Sequence, residues 1–150
     1  MFSTRILFGC ALATVLTTSS ASPAVNLGRN HHLQHLHQAL RDLGAAHGAI
    51  KANNASRGHH HISAAIHQLD QAISHHKQHH LSKQRSGLSG AITTAAHHHH
   101  HGILQRALAE CHKAERQLRT GNVGNAAHDV TAAEKEVHAA IQSHHHLIGK

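Results

Sequence analysis

The chain has 150 residues, 24 of them histidine, against 14 Lys plus Arg and 7 acids, so its formal charge is +7 before any imidazole is protonated. There is no Trp or Tyr, and both phenylalanines, Phe2 and Phe8, lie at the extreme N-terminus; a core built only from Leu, Ile, Val and Ala argues against a sandwich or barrel, which draws on aromatic and β-branched strands. The length fits one domain, the missing stacking aromatics argue against a nucleic-acid partner, and the scarcity of carboxylates argues against calcium and magnesium.

Residues 1–21 have the pattern of a secretory signal. Arg5 supplies the positive start, 6–16 is an apolar run too short to span a bilayer, and Ser19, Ser20 and Ala21 offer the small side chains a signal peptidase reads. Cleavage after Ala21 leaves a periplasmic or secreted chain, 22–150, with no transmembrane segment. It also leaves Cys111 as the only cysteine, so no internal disulfide can form. Cys111 lies on an apolar helical stripe, where a small hydrophobic filler is favoured over an intermolecular bridge or a metal ligand; the expected state is a monomer or a Cys111-linked dimer.

From about residue 30 to 52, Leu33, Leu36, Leu40, Leu43, His47 and Ile50 recur at alternating spacings of three and four, one face of an α-helix. Asn53, Asn54 and Ser56 break the pattern with turn and cap chemistry. A second stripe runs through Ile62, Ala65/Ile66, Leu69, Ile73 and His76. The Ser/Gly-rich stretch at about 82–90 reads as a linker. A third stripe carries Leu104, Leu108, Cys111 and Leu118, and a fourth carries Val123, Ala127, Val130, Val137 and Ile141. Whether 91–101 extends the third helix or forms a loop stays open, because Gly102 weakens a helix by about 1 kcal/mol relative to Ala.

The two halves are copies. An ungapped offset of 68 carries His31 and His32 onto His99 and His100, Leu36 onto Leu104, Asn54 onto Asn122, His60 onto His128, Ala72 and Ile73 onto Ala140 and Ile141, and His76 onto His144. Repeat 1 spans about 31–80 and repeat 2 about 99–148. A two-helix hairpin cannot bury both of its stripes, whereas two hairpins can. The expected fold is all-α: an antiparallel four-helix bundle of two duplicated hairpins.

Imidazole is a common ligand for zinc, copper and nickel, and two histidines four apart on a helix can chelate one ion. Such pairs are His31/His35, His75/His79, His76/His80 and, if helical, His97/His101. In an antiparallel bundle the start of helix one (His31, His32, His35, His37) is level with the end of helix two (His75, His76, His79, His80). The start of helix three (His97, His98, His99, His100, His101) is likewise level with the end of helix four (His144, His145, His146). The way the hairpins pack decides whether these make one His-rich pole or two. His59, His60, His61 and His128 form a further group at the turn end. Single histidines such as His67, His112 and His138 read as solvated polar residues. Glu115 and Glu134, on or beside the stripes, either join His112 or His138 as mixed ligands or flank the seam. No Glu-x-x-His pair, haem-attachment motif, phosphate loop or nucleophile triad is present, so no enzyme is expected.

The units HLHQALRDLGAAHGAIKANNASRGHHHISAAIHQLDQAISHH and ILQRALAECHKAERQLRTGNVGNAAHDVTAAEKEVHAAIQSHH resemble the small metal-binding proteins of the bacterial periplasm, which are His-rich, repeat-built and helical. The resemblance covers roughly 31–146 and implies a four-helix bundle that scavenges or buffers divalent copper, nickel and zinc. The second repeat carries fewer interior histidines, so it departs from equal loading of the two halves. The competing reading is a basic, pH-responsive cell-envelope protein that binds anionic surfaces through Lys83, Arg85, Arg106, Lys113, Arg116 and Arg119.

Overall fold

A computed structural model describes residues 24–85 and 91–148, with side chains at 31–78, 81 and 95–145. The signal segment at 1–21, part of the linker, and the side chains of His79, His80 and His146 lie outside the described residues. The described chain forms four helices: α1 (Ala24–Lys51), α2 (Ala55–Arg85), α3 (Ala91–Arg119) and α4 (Val123–Ile148). α2 takes in the part of the presumed linker up to Arg85, and α3 takes in the whole 97–101 histidine run through Gly102. None of the described helices is long and apolar enough to cross a membrane.

Each hairpin turn is closed the same way. Asn53 (φ 54°) and its repeat mate Gly121 (φ 76°) adopt the left-handed conformation just past a helix end. The amide N–H of Asn54 donates to the Ala49 carbonyl at 2.9 Å and that of Asn122 to the Gln117 carbonyl at 2.8 Å. This six-to-one bond satisfies a carbonyl the helix end would leave open. Asn54 then caps α2, its Oδ1 accepting from the Arg57 N–H at 3.0 Å.

The helices pack in a square. α1 lies against α2 and α4, and α3 lies against α2 and α4, so α1/α3 and α2/α4 are the diagonals. The start of α1 meets the start of α3, with the His32 and His100 rings 5.2 Å apart, so the hairpins run in the same sense and the His-rich ends of all four helices fall at one pole.

The buried seam follows a four-three spacing on every helix. It reads Leu36, Ala39, Leu43, Ala46, Ile50 on α1; Ile62, Ala65, Leu69, Ala72 on α2; Leu104, Ala107, Cys111, Ala114, Leu118 on α3; and Ala126, Val130, Ala133, Val137, Ala140 on α4. This differs from the stripes expected from the large residues alone. Leu33, Leu40, Ile66 and Leu108 are only half-buried at the seam's edges, and Ala126, not Ala127, is fully buried. The reason is volume. Counting inward from the turn end, where Gly58 sits against Ile50 and Leu118, large side chains from one diagonal meet small ones from the other, and the roles swap at the next level. In this register Leu36 and Leu104 fall level with Ala72 and Ala140, and Leu69 and Val137 with Ala39 and Ala107, all of them buried. Such alternation lets large and small side chains interdigitate between four close helices. Cys111 occupies one large position, fully buried, and burial pushes its thiol up to about 12. It is core filler, and a Cys111-linked dimer finds no support in this placement.

A candidate metal centre of four histidines

One step beyond the Leu36/Leu104 level, the seam positions of all four helices are histidine: His32, His76, His100 and His144. The 68-residue offset makes them two mated pairs, His32/His100 on one diagonal and His76/His144 on the other. His32, His100 and His144 are buried, with 4, 0 and 9 % exposure, and His76 is half-buried. The rings crowd together. Centroids lie 5.2 Å apart for His32–His100, 4.9 Å for His32–His144, 4.9 Å for His76–His100, 5.8 Å for His32–His76 and 5.8 Å for His100–His144.

Two hydrogen-bonding contacts define the chemistry. His32 Nδ1 lies 3.0 Å from the carbonyl oxygen of Ala72. A carbonyl only accepts, so Nδ1 carries the proton and, in the neutral ring, Nε2 keeps its lone pair. That Nε2 lies 3.0 Å from His100 Nε2, across the bundle axis. Nδ1 of His100 is buried with no hydrogen-bond partner. A carbonyl fixing the far nitrogen of an imidazole is the usual support of a metal-ligating histidine, since it sets the tautomer and aims the free lone pair.

Burial, reinforced by mutual repulsion with His144 and neighbouring imidazoles, pushes His32 from 6.5 down to about 3. Burial and the nearby His32, His76 and His144 do the same to His100, also to about 3. Both rings are therefore neutral at physiological pH, the form that binds metal.

Among the described residues, His32, His76 and His100 are the one group of three or more His, Cys, Asp or Glu whose ligand atoms all lie within 4.8 Å of one another. Because His32 Nε2 holds a lone pair, His100 Nε2–H is the donor in their contact. Two nitrogens on a tetrahedral zinc stand roughly 3.3 Å apart for zinc–nitrogen bonds near 2.0 Å, so to admit an ion the pair parts by a few tenths of an ångström and His100 shifts its proton from Nε2 to Nδ1. The donor set is all imidazole, which suits late transition metals and not hard ions. The group can hold a metal.

The other predicted histidines arrange around this layer or away from it. On the α1–α2 face His75 stacks with His31 (6.3 Å) and His35 (5.3 Å), and His35 Nδ1–H donates to Gln68 Oε1 at 2.7 Å. On the α2–α3 face His97 and His101 approach His76. His37, His98, His99 and His145 are exposed. The turn-end set is not gathered into a ligand group: His60 and His61 touch each other at 5.7 Å, His59 Nε2 lies 3.1 Å from Glu115 Oε1, and His128 Nδ1 lies 3.6 Å from Asp129 Oδ1. Glu115 also bonds Ser63 and Arg119, so it ties helices together at the seam's flank. The buried Asp129, repeat mate of His61, is held by Lys113 Nζ at 2.8 Å.

The Ala72 carbonyl and Gln68 orient histidines of the pole, and neither is marked by the spacing: a backbone carbonyl of any seam residue looks alike in sequence, and its contact with His32 depends on how α1 and α2 pack. Gln68 carried no signal.

No family model matches the chain, and neither a curated protein nor a solved structure matches it either.

Proposed function

We propose that this protein binds and sequesters divalent transition metal ions, copper, nickel or zinc, in the histidine layer at the pole of its bundle, and that it does so as a secreted or periplasmic scavenger or buffer. The observation that carries this reading is the convergence of His32, His76 and His100, from three helices, with ligand atoms within 4.8 Å of one another. The Ala72 carbonyl behind His32 supports it, as does the depressed basicity of both diagonal rings. His144, its ring centroid 4.9 Å from that of His32, stands beside this group as a fourth imidazole, and the satellite histidines supply weaker, exchangeable positions around the centre. The signal-like N-terminus and the resemblance to periplasmic small metal-binding proteins support the compartment.

The test is equilibrium dialysis of the mature, untagged chain against zinc, nickel and copper near pH 7, beside His32→Leu/His100→Leu. The wild type binds at least one ion tightly and the double variant loses that equivalent while remaining helical by circular dichroism. Less than one ion bound per wild-type chain for all three metals contradicts the function.

A further inference from the structure

A buried centre needs a way in, and three of the four layer histidines are sealed. His76 is the exception: it is half-buried, and its outer side faces a cavity of about 300 Å³ between α2 and α3. His76, Lys77, Leu81, His97, His98 and His101 line that cavity. Leu81, at 58 % exposure, is the only exposed large hydrophobic among the described residues. His97 and His101 stand four apart on α3, the spacing at which two imidazoles share an ion. Both reach His76, with centroids 5.2 Å away for His97 and 6.0 Å, nearly parallel, for His101. His101 Nδ1 is buried without a hydrogen-bond partner. His76 in turn stands 4.9 Å from His100. One imidazole thus belongs to two clusters, an inner one on the axis and an outer one open to solvent.

We propose that His97 and His101 are a capture pair: they take a hydrated divalent transition metal ion at the α2–α3 groove and pass it through His76 to the buried layer, without being ligands of the buried ion. The proposal rests on the reading of that layer as a metal centre. Each transfer exchanges one imidazole for another around the ion, so no proton or electron has to be supplied from elsewhere. An outer pair of this kind raises the local concentration of ion beside His76 and, by microscopic reversibility, speeds departure as much as arrival.

That symmetry gives the test. Zinc uptake by the full mature chain is followed by stopped flow, release is measured into a chromogenic chelator extrapolated to zero chelator, and affinity is measured at equilibrium. In His97→Gln/His101→Gln both rates fall by the same factor, roughly tenfold or more, while the dissociation constant of the tight ion is unchanged and one weaker equivalent disappears. His59→Gln/His60→Gln, at the turn end where no ligand group forms, leaves both rates as they were. The proposal is overturned if release accelerates and affinity drops, since His97 and His101 are then ligands of the buried ion. It is equally overturned if neither rate moves, or if the two double variants slow exchange alike. Tight zinc uptake that survives His32→Leu/His100→Leu removes the buried centre itself, and the capture route with it; unchanged rates in a chain whose layer does bind zinc remove the route alone.

Discussion

His32 and His100, repeat mates 68 residues apart on diagonally opposite helices, meet Nε2 to Nε2 at 3.0 Å across the axis of the bundle. Everywhere below them the diagonals alternate large with small side chains; here all four positions hold an imidazole. Without an ion, the layer leaves His100 Nδ1 buried with no hydrogen-bond partner, a loss that costs on the order of 1–3 kcal/mol. In this layer that cost stands beside the placement of His32, His76 and His100, whose ligand atoms lie close enough together to hold an ion.

Replacing it with apolar side chains should therefore separate stability from binding. His32→Leu/His100→Leu is expected to raise the denaturant stability of the metal-free chain by roughly 1–3 kcal/mol, because the one buried nitrogen of this pair without a partner, His100 Nδ1, is removed and apolar packing takes its place. The same change lowers the affinity for the tight ion at least 100-fold, a loss of two ligands. Chemical denaturation with and without zinc checks both; a metal-free variant less stable than wild type contradicts the account of the empty layer.

Acid should unfold the metal-free protein. His32 and His100 are held down near 3 in the fold against 6.5 in an open chain, and burial also lowers His75 and His101. Above pH 6.5 neither state binds protons at these rings and the stability is intact. Below it the unfolded chain takes up protons that the folded one refuses, so stability falls by up to about 1.4 kcal/mol per pH unit for each of the two buried rings until roughly pH 3. At pH 4.5 the loss is on the order of 2–3 kcal/mol per ring, a large part of a typical domain's margin. Circular dichroism from pH 7 to 3 should show an unfolding transition that His32→Leu/His100→Leu moves to lower pH. A transition at the same pH in both chains places the acid sensitivity elsewhere.

Metal should stabilise the fold by mass action. An ion at 100 times its dissociation constant adds about 2.7 kcal/mol, which for a domain of this size raises Tm by roughly 10 °C. Calorimetry with zinc, then with excess chelator, checks the gain and its reversal. His59→Gln/His60→Gln at the turn end, where no three-ligand group forms, should keep the full shift.

Gly58 tests the packing of the turn end. A Cβ there would fall 2.9 Å from Ile50 Cγ1 and 3.4 Å from Leu118 Cδ1, although its repeat mate is Ala126. Gly58→Ala gains about 1 kcal/mol of helix propensity and loses 1–3 kcal/mol to overpacking. A net destabilisation of roughly 1 kcal/mol in urea is expected, and in an Ile50→Ala background, where the crowding Cγ1 is gone, Gly58→Ala should no longer destabilise. A stabilised Gly58→Ala chain contradicts the tight contact.

The fold was legible because duplication and spacing are properties of order: Leu36/Leu104 and Ala72/Ala140 betray both the repeat and the face. The depth of each position was less legible. Leu33 and Leu40 outweigh Ala39 and Ala46 in any count of apolar size, yet the alanines are in the seam because four helices this close leave space for only two large side chains per level. The site was half legible. Abundance pointed to His31, His37, His98 and His99 as strongly as to His32 and His100, and only the four-three register, fixed by the alanines, puts the latter on the axis. The single pole was also out of reach, since the relative sense of the hairpins depends on how they pack.

The most direct measurement is anomalous diffraction from crystals of the mature chain grown with zinc, recorded at the zinc edge. A peak is expected on the bundle axis, within bonding distance of nitrogens of His32, His76 and His100. Zinc found only on outer histidines, with the axial layer dry and its rings still in mutual contact, contradicts it.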